Sequence, residues 1–261
     1  MVWLCLRPGH ELSMQQLFLA AAAGNIVASD EDIPTRSLEF VAASNQSLEL
    51  SNADWGTYDR SKFAISLWAR RKGDNSSDGL FSKTQSFQWE FNIRFEFWRQ
   101  IAVETFNETS NGTLLTPAEY DAGAGYEVDN WYHILVTFDA SASAGDVLQL
   151  WIDGTRITSF ATNTQPVGNV SERTSRVRIG RQGDDSYPAN AYVYQPALFS
   201  GVHPSVSDLR TAEGKPRDIR GLSGLHCLLH TTADSTLEDD EILATNWTNN
   251  NAVAKYAGIP A

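Results

Sequence analysis

The chain has 261 residues, of which 42% are hydrophobic and 11% aromatic, a composition typical of a folded protein and not of a disordered one. Its 20 Lys and Arg residues are outnumbered by 32 Asp and Glu residues, which gives a formal net charge of −12. Binding to nucleic acid needs a basic footprint, so this charge argues against a nucleic-acid partner. The length suits one large all-β domain with a sizeable core.

The first 30 residues differ in pattern from the rest of the chain. They contain a short apolar stretch with small residues, MQQLFLAAAAGN from Met14, without the basic segment of a secretory leader. We interpret residues 1–30 as an ordered N-terminal arm or first helix. No apolar run reaches the roughly 18 to 20 residues that span a membrane. Cys5 and Cys227 lack metal-ligand spacing, and the sequence leaves open whether they pair.

From about residue 37 apolar residues alternate with polar ones, the period of a half-buried strand. In FAISLWARR, one face carries Phe63, Ile65 and Leu67, and the other carries Ser66, Trp68 and Arg70. The strongest alternation runs from Phe87 to Trp98, with aromatic or β-branched residues at every odd position up to Phe97. This pattern predicts one long strand, or two strands joined near Asn92.

Further alternating segments follow, separated by turn-rich links. They read WYHILVTFD, VLQLWID, TRITSF, RVRIGR and NAYVYQPALF. One short helix is predicted at about 205–212, with Ser205 and Asp208 as a capping box and Gly214 as the stop. The tail from Gly221 is too small for a separate domain, so residues 31–261 are predicted to form one domain that includes closing strands. Many short strands without crossover helices predict a sandwich, jelly roll or barrel.

The segment VLQLWIDGTRI predicts a tight hairpin. Leu148, Leu150 and Ile152 share the inward face, and Asp153 falls where the strand leaves the core. Gly154 can adopt the positive φ that such a turn requires.

Taken in order, these segments resemble the laminin G-like branch of the concanavalin A-like lectin/glucanase superfamily. The closest parts are the W-x-H-x-x-x-T-x-D run at Trp131, the L-W-I-D-G hairpin and the R-I-G-R strand, within residues 37–212. The resemblance implies an all-β fold, a two-sheet antiparallel jelly-roll sandwich. Because this fold carries many functions, the function has to be argued from sites.

Glycoside hydrolysis by a retaining mechanism needs two carboxyl groups about 5 Å apart. The densest acidic run is LEDDEI at 237–242, but it lies in the tail and not in a core strand. Glu90 and Glu96 share a predicted strand face but are six residues apart. Since a strand rises about 3.3 Å per residue, their distance is roughly 20 Å, which is too far for a retaining pair. The sequence therefore predicts a protein that is not an enzyme.

The resemblance also implies a calcium site at the rim of the sandwich, built from Asp carboxylates and backbone carbonyls. The weak candidates are Asp153, Asp184 and Asp185, together with Asp139. Where the family commonly has an acidic pair before the final strand, this chain reads Tyr192-Val-Tyr-Gln-Pro196. Because this acidic pair is missing, we assign no metal or cofactor to the chain. Calcium remains the open alternative.

Three tryptophans fall on the polar phase of their predicted strands: Trp68, Trp98 and Trp151. An outward tryptophan can stack on a sugar ring or pack against another protein. These three residues are the predicted ligand or partner surface.

Two functions remain. The closing segment TNWTNNNAV is similar to segments that follow such domains in bacteriophage and marine bacterial proteins. The leading hypothesis is therefore a non-enzymatic virion protein, a capsid decoration or tail component whose partners are other virion proteins or its own copies. The alternative is a secreted or cell-surface module of the laminin G-like type, which binds a carbohydrate or mediates adhesion.

Overall fold

The structure is a computed structural model that describes residues 36–73, 77–85, 88–107, 110–118, 125–182, 187–229, 247–256 and 260. The arm predicted for residues 1–30, including Cys5, lies outside these residues. The strands in chain order are β1 Ser37–Glu39, β2 Ser47–Leu50, β3 Lys62–Arg71, β4 Asp78–Gln85, β5 Gln88–Glu96, β6 Gln100–Phe106, β7 Asn111–Leu115, β8 Trp131–Asp139, β9 Leu148–Ile152, β10 Thr155–Arg156, β11 Thr162–Thr164, β12 Val177–Ile179, β13 Ala191–Ser200, β14 Leu225–Leu228, β15 Thr248–Asn250 and β16 Ala254–Tyr256. Two one-turn helices are described, α1 Asn52–Trp55 and α2 Val206–Leu209.

The strands form two antiparallel sheets that pack face to face, which confirms the predicted all-β sandwich. Sheet 1 has the order β10-β9-β8-β3-β13-β1-β16, with β14 also paired to β13. Sheet 2 has the order β11-β7-β6-β5-β4-β12-β2-β15. The closing strands are thus divided between the sheets, because β15 pairs with β2 and β16 pairs with β1.

The core between the sheets follows the alternation in the sequence. On β3 the inward residues Phe63, Ile65 and Leu67 are fully buried, as predicted. On β5, which passes through Asn92 as one strand, the inward residues are Phe91, Ile93 and Phe95. Burial of this apolar surface is the main favourable contribution to the stability of the sandwich.

The alternation of β5 ends earlier than predicted. The strand ends at Glu96, and residues Phe97–Arg99 form a 3₁₀ turn that leads into β6. Phe97 was expected on the inward face but is 44% exposed, and Trp98 is not on a strand at all. Both expectations fail because a reversal of the chain interrupts the period of two.

Among the described residues, two buried ion pairs lie inside the sandwich. Arg71 Nε lies 3.2 Å from an oxygen of Asp78, and Lys83 Nζ lies 2.8 Å from Glu90. The placement of Glu90 on the same polar face as Glu96 is wrong. The pairing of β4 with β5 shifts next to Glu90, which leaves this residue as an unpaired bulge residue with its carboxylate in the interior.

A third layer covers the outer face of sheet 1. Residues 202–222, which include α2, pack on Ala64, Leu135, Ala197 and Phe199 through a second apolar cluster. The predicted capping box is confirmed. The side chain of Ser205 accepts a hydrogen bond from the backbone N–H of Asp208, and the carboxylate of Asp208 accepts one from the backbone N–H of Ser205. Gly214 does not end the helix, because α2 already stops at Leu209 and Gly214 belongs to the next turn, with φ 85°.

Candidate functional site

A surface pocket of about 610 Å³ lies between the β9–β10 hairpin and the layer that covers sheet 1. We call it the 153–217 pocket. Its lining comes from two parts of the chain that are distant in sequence: Asp153 and Gly154 on one side, and Val206, Ser207, Arg210, Thr211, Ala212 and Arg217 on the other.

The hairpin side of the pocket is the turn predicted from the sequence. Asp153 and Gly154 have φ values of 50° and 81°, the left-handed pair of a two-residue hairpin, and Ile152 pairs with Thr155. The backbone N–H of Asp153 donates to the carbonyl of His133 at 2.9 Å, and its Oδ1 accepts from the backbone N–H of His133 at 3.0 Å. These two bonds fix the carboxylate, and within the described residues its Oδ2 atom has no hydrogen-bond partner.

The opposite side is formed by Arg210, the residue that follows α2. Its Nη1 atom lies 3.9 Å from Oδ1 of Asp153, beyond the range of a hydrogen bond. Its side chain is 16% exposed, and the buried Nε atom has no hydrogen-bond partner in the part of the chain that the structure describes. Glycines make room for this side chain, since a Cβ on Gly214 would lie 2.6 Å from Nη2 of Arg210.

Arg217 provides a second guanidinium group at the rim. Its Nε atom donates to the backbone carbonyl of Arg210 at 3.3 Å, which links the two residues. Within the described part of the chain, its terminal nitrogens form no hydrogen bond or ion pair. The pocket therefore presents two cations and one carboxylate.

An aromatic layer supports Arg210 from below. The guanidinium carbon lies 5.8 Å from the ring centre of Trp68, and that ring is 4.9 Å from the imidazole of His133. His133 shares a 2.9 Å hydrogen bond with the hydroxyl of Ser66 through Nε2. Burial, reinforced by the charge of Arg210, lowers the pKa of His133 to about 3, so the imidazole is neutral at pH 7.

The three predicted tryptophans have different surroundings. Trp68 and Trp151 lie on the outer face of sheet 1, as the alternation predicts, but neither forms an open surface. Trp68 is buried, and Trp151 is half-buried against the cluster that holds α2 in place. The sequence could not show this covering, because the covering residues follow much later in the chain.

Trp98 is the exposed member of the three, at 57%. It sits at the tip of the β5–β6 turn with φ 57°, followed by Arg99 with φ 58°. Such left-handed values are unusual for a bulky residue and are held by the flanking strands. The preceding residue, Phe97, is also exposed. Tyr187 is a further exposed aromatic, and Arg94 on β5 lies 6.0 Å from its ring centre. This turn is far in sequence from the residues of the 153–217 pocket.

The described calcium candidates are already engaged. The carboxylate of Asp139 accepts from the hydroxyl and backbone N–H of Ser141 and lies 3.0 Å from Nζ of Lys62, and these contacts hold its pKa at about 2. Asp153 is bonded to the backbone of His133, and Asp184 and Asp185 lie outside the described residues. Among the residues that the structure describes, no group of three His, Cys, Asp or Glu side chains could hold a metal ion.

The acidic run at 237–242 also lies outside the described residues. The residues that the sequence reasoning missed are Arg210 and Arg217. A signal was present, because four basic residues fall within residues 210–220 of a chain that is otherwise acidic: Arg210, Lys215, Arg217 and Arg220. Such a local excess of positive charge indicates a site more directly than the outward tryptophans do.

None of the described helices is long and apolar enough to cross a membrane. A search of curated proteins finds no significant match to the sequence. Among solved structures, a Bacteroides ovatus protein with a proposed role in carbohydrate binding is similar, with a TM-score of 0.60 and 14% identity over 86% of this chain and 60% of that protein. The present chain therefore spans about three fifths of that protein's length.

Two further solved structures have lower similarity scores. A heptameric pentraxin from Limulus polyphemus has a TM-score of 0.49 and 12% identity over 86% of this chain and 95% of that chain. The NanB sialidase of Streptococcus pneumoniae has a TM-score of 0.48 and 16% identity over 66% of this chain and 27% of that chain.

The family comparison agrees with the sheet topology and with the segments that carry the resemblance. A model for the concanavalin A-like lectin/glucanases superfamily matches residues 23–204, more than half of the chain. The match includes β1 to β13 and the Asp153–Gly154 hairpin, and it ends just before α2. By this match and by its two-sheet architecture, the chain belongs to the concanavalin A-like lectin/glucanases superfamily.

Proposed function

We propose that this protein is an extracellular carbohydrate-binding module and that the 153–217 pocket is its glycan site. The observation that carries the proposal is the lining of this pocket, in which one carboxylate and two guanidinium groups converge on a concave surface. A concave pocket with a few convergent polar groups is the usual form of a small-ligand site. The superfamily and the proposed carbohydrate role of the Bacteroides ovatus protein support the same function.

The chemistry of the lining suits a sugar. Sugar hydroxyls both donate and accept hydrogen bonds, and the pocket offers Oδ2 of Asp153 as an acceptor and the guanidinium N–H groups as donors. Val206 and Ala212 add apolar surface for the C–H face of a ring. The acceptor is held rigidly by the hairpin, so little conformational entropy is lost when a ligand binds.

The carboxylates of the described lining support binding without cleavage. Hydrolysis of a glycosidic bond generally needs two carboxyl groups, about 5 Å apart for a retaining mechanism. The described lining contributes one, that of Asp153. Glu90, in the core, is paired with Lys83 and does not reach this surface.

The test is a glycan array probed with the wild-type protein, followed by titration calorimetry on the best ligand. Asp153→Asn removes the charge of the acceptor but keeps a residue that tolerates positive φ, and we expect it to weaken binding roughly tenfold or more. Asp146→Asn is the matched control, because Asp146 lies before β9, outside the pocket, and pairs with Arg156. An array without any bound glycan, or equal affinity for both variants and the wild type, would contradict the proposal.

The virion role predicted from the closing segment has no support from the family match or from the similar structures. Within that segment, residues 248–250 form β15 and add an edge strand to sheet 2. This pairing gives the segment an internal role in closing the sandwich.

A further inference from the structure

We propose that the ligand of the 153–217 pocket is an acidic saccharide, whose carboxylate or sulfate ester is bound by Arg210 and Arg217. This inference rests on the proposed glycan function and adds the chemical class of the ligand. It is carried by two observations: the incomplete pairing of Arg210 and the free terminal nitrogens of Arg217 among the described residues.

The pairing of Arg210 is incomplete in this structure. A largely buried guanidinium group is costly unless hydrogen bonds and an opposite charge compensate its lost hydration. The nearest carboxylate in the pocket, that of Asp153, stays at 3.9 Å, and Nε has no hydrogen-bond partner among the described residues. The Trp68 ring, 5.8 Å from the guanidinium carbon, provides no acceptor oxygen.

An anion at the mouth of the pocket would complete this arrangement. Guanidinium groups bind carboxylates and sulfates through paired N–H donors, a geometry that a neutral hydroxyl cannot match. Arg210 and Arg217 are linked through the backbone carbonyl of Arg210, so both side chains flank the same space. Asp153 on the opposite wall then selects the orientation, since it accepts from a ring hydroxyl and repels the acidic group.

The surrounding charges have to be considered as well. Asp208 and Glu213 are close enough to Arg217 for its charge to act on them. Asp208 is already committed to the capping box, where Oδ2 accepts from the backbone N–H of Ser205 at 2.9 Å and from its hydroxyl at 2.6 Å. Lys215 adds a further cation near this rim. The lining itself keeps an excess of one positive charge, in a chain with a net charge of −12.

The experiment compares saccharides that differ only in charge. Tetragalacturonic acid is titrated against its fully methyl-esterified form, and galactose 6-sulfate against galactose, which separates carboxylate from sulfate recognition. We expect the wild-type protein to prefer at least one acidic member of these pairs by roughly tenfold or more, with affinity that falls as salt is added.

Variants localise the effect. Arg217→Gln keeps a polar side chain of similar length, and Arg210→Lys keeps the charge but loses the paired donors; each should lower affinity for the acidic probe by roughly tenfold. Arg156→Gln is the matched control, since Arg156 lies on the same hairpin, outside the pocket lining. Thermal unfolding of each variant checks that the fold is retained.

The outcomes separate this inference from the proposed function. If the pocket binds neutral and acidic probes equally and Asp153→Asn still weakens binding, the glycan site stands and the acidic class is wrong. If Arg156→Gln weakens binding as much as Arg217→Gln, the attraction is general and the pocket assignment is wrong. If no probe and no array glycan binds, the proposed function itself fails.

Discussion

The outer faces of the two sheets have the same alternating origin in the sequence but are built in different ways. On sheet 1 part of the outer face is apolar, with Ala64, Leu135 and Phe199 packed against a third layer around α2 that covers them. On sheet 2 the outward residues form a polar ladder across strands, in which Arg178 pairs with Glu49 at 2.8 Å and Asn92 donates to Glu104 at 2.8 Å. The pocket lies between the third layer and the β9–β10 hairpin of sheet 1. The added layer therefore forms one wall of a concave site, whereas the described polar ladder on sheet 2 forms no such wall.

The largest expected effect comes from the packing that attaches the third layer to sheet 1. Phe199 is fully buried in the second apolar cluster, opposite Ala64 on β3. Phe199→Ala should lower the free energy of unfolding by about 3–5 kcal/mol, through lost burial and the remaining cavity. Denaturant unfolding measures this change. A loss below about 1 kcal/mol would show that the layer is not packed as described.

The two faces should also lose stability in different ranges of pH. On sheet 1, the pKa of His133 is lowered from 6.5 to about 3, so below pH 6.5 the unfolded chain takes up a proton that the folded protein does not. The free energy of unfolding therefore falls as the pH decreases, by roughly 2 kcal/mol at pH 5. On sheet 2, the pKa values of Glu49 and Glu96 are lowered below 4.5, because hydrogen bonds and nearby Arg charges outweigh burial, which alone would raise them.

These carboxylates stabilise the protein above pH 4.5, and that contribution disappears as the pH falls through their lowered pKa values. Midpoints of urea unfolding, measured between pH 7 and pH 3, test the contribution of His133 and that of the two carboxylates. His133→Gln should remove the slope between pH 6.5 and pH 5, and between pH 5 and pH 3 it should leave only the slope that the carboxylates contribute. If the slope between pH 6.5 and pH 5 is unchanged in this variant, a titratable group other than His133 causes the loss of stability in that range.

A smaller effect is expected from the helix caps. Ser205 caps α2 beside the pocket, and Ser51 caps α1 at another place in the fold. Replacing either serine by alanine should cost about 1 kcal/mol of stability. Ser205→Ala alone should also weaken glycan binding, because α2 positions Arg210. If both variants bind the glycan equally well, the cap of α2 does not contribute to the position of Arg210.

The smallest effect should come from the polar ladder at its solvent edge. The side chain of Arg176 is 64% exposed and pairs with Glu49, which Arg178 also contacts. Arg176→Ala should therefore change the free energy of unfolding by less than about 1 kcal/mol. A larger loss in thermal unfolding would indicate that the two arginines act as one coupled network.

Much of the fold was predictable because strand alternation is a local property. The inward residues of β3 and β9 and the Asp153–Gly154 turn were confirmed in the structure. The capping box of Ser205 and Asp208 could be read from a spacing of three residues. The predictions fail where a turn or bulge breaks the period, as at Phe97 and Glu90. Trp98 as a ligand surface stays a prediction.

The sequence by itself determined the sandwich, its inward residues and the hairpin that carries Asp153, because backbone geometry alternates side chains regardless of distant partners. Only the tertiary structure decided which outer face is covered and which polar groups converge. Arg210 and Arg217 line one pocket with Asp153 because the segment that includes α2 folds back over sheet 1, and no local pattern contains that arrangement. The pocket therefore depends on packing between segments that are far apart in the chain.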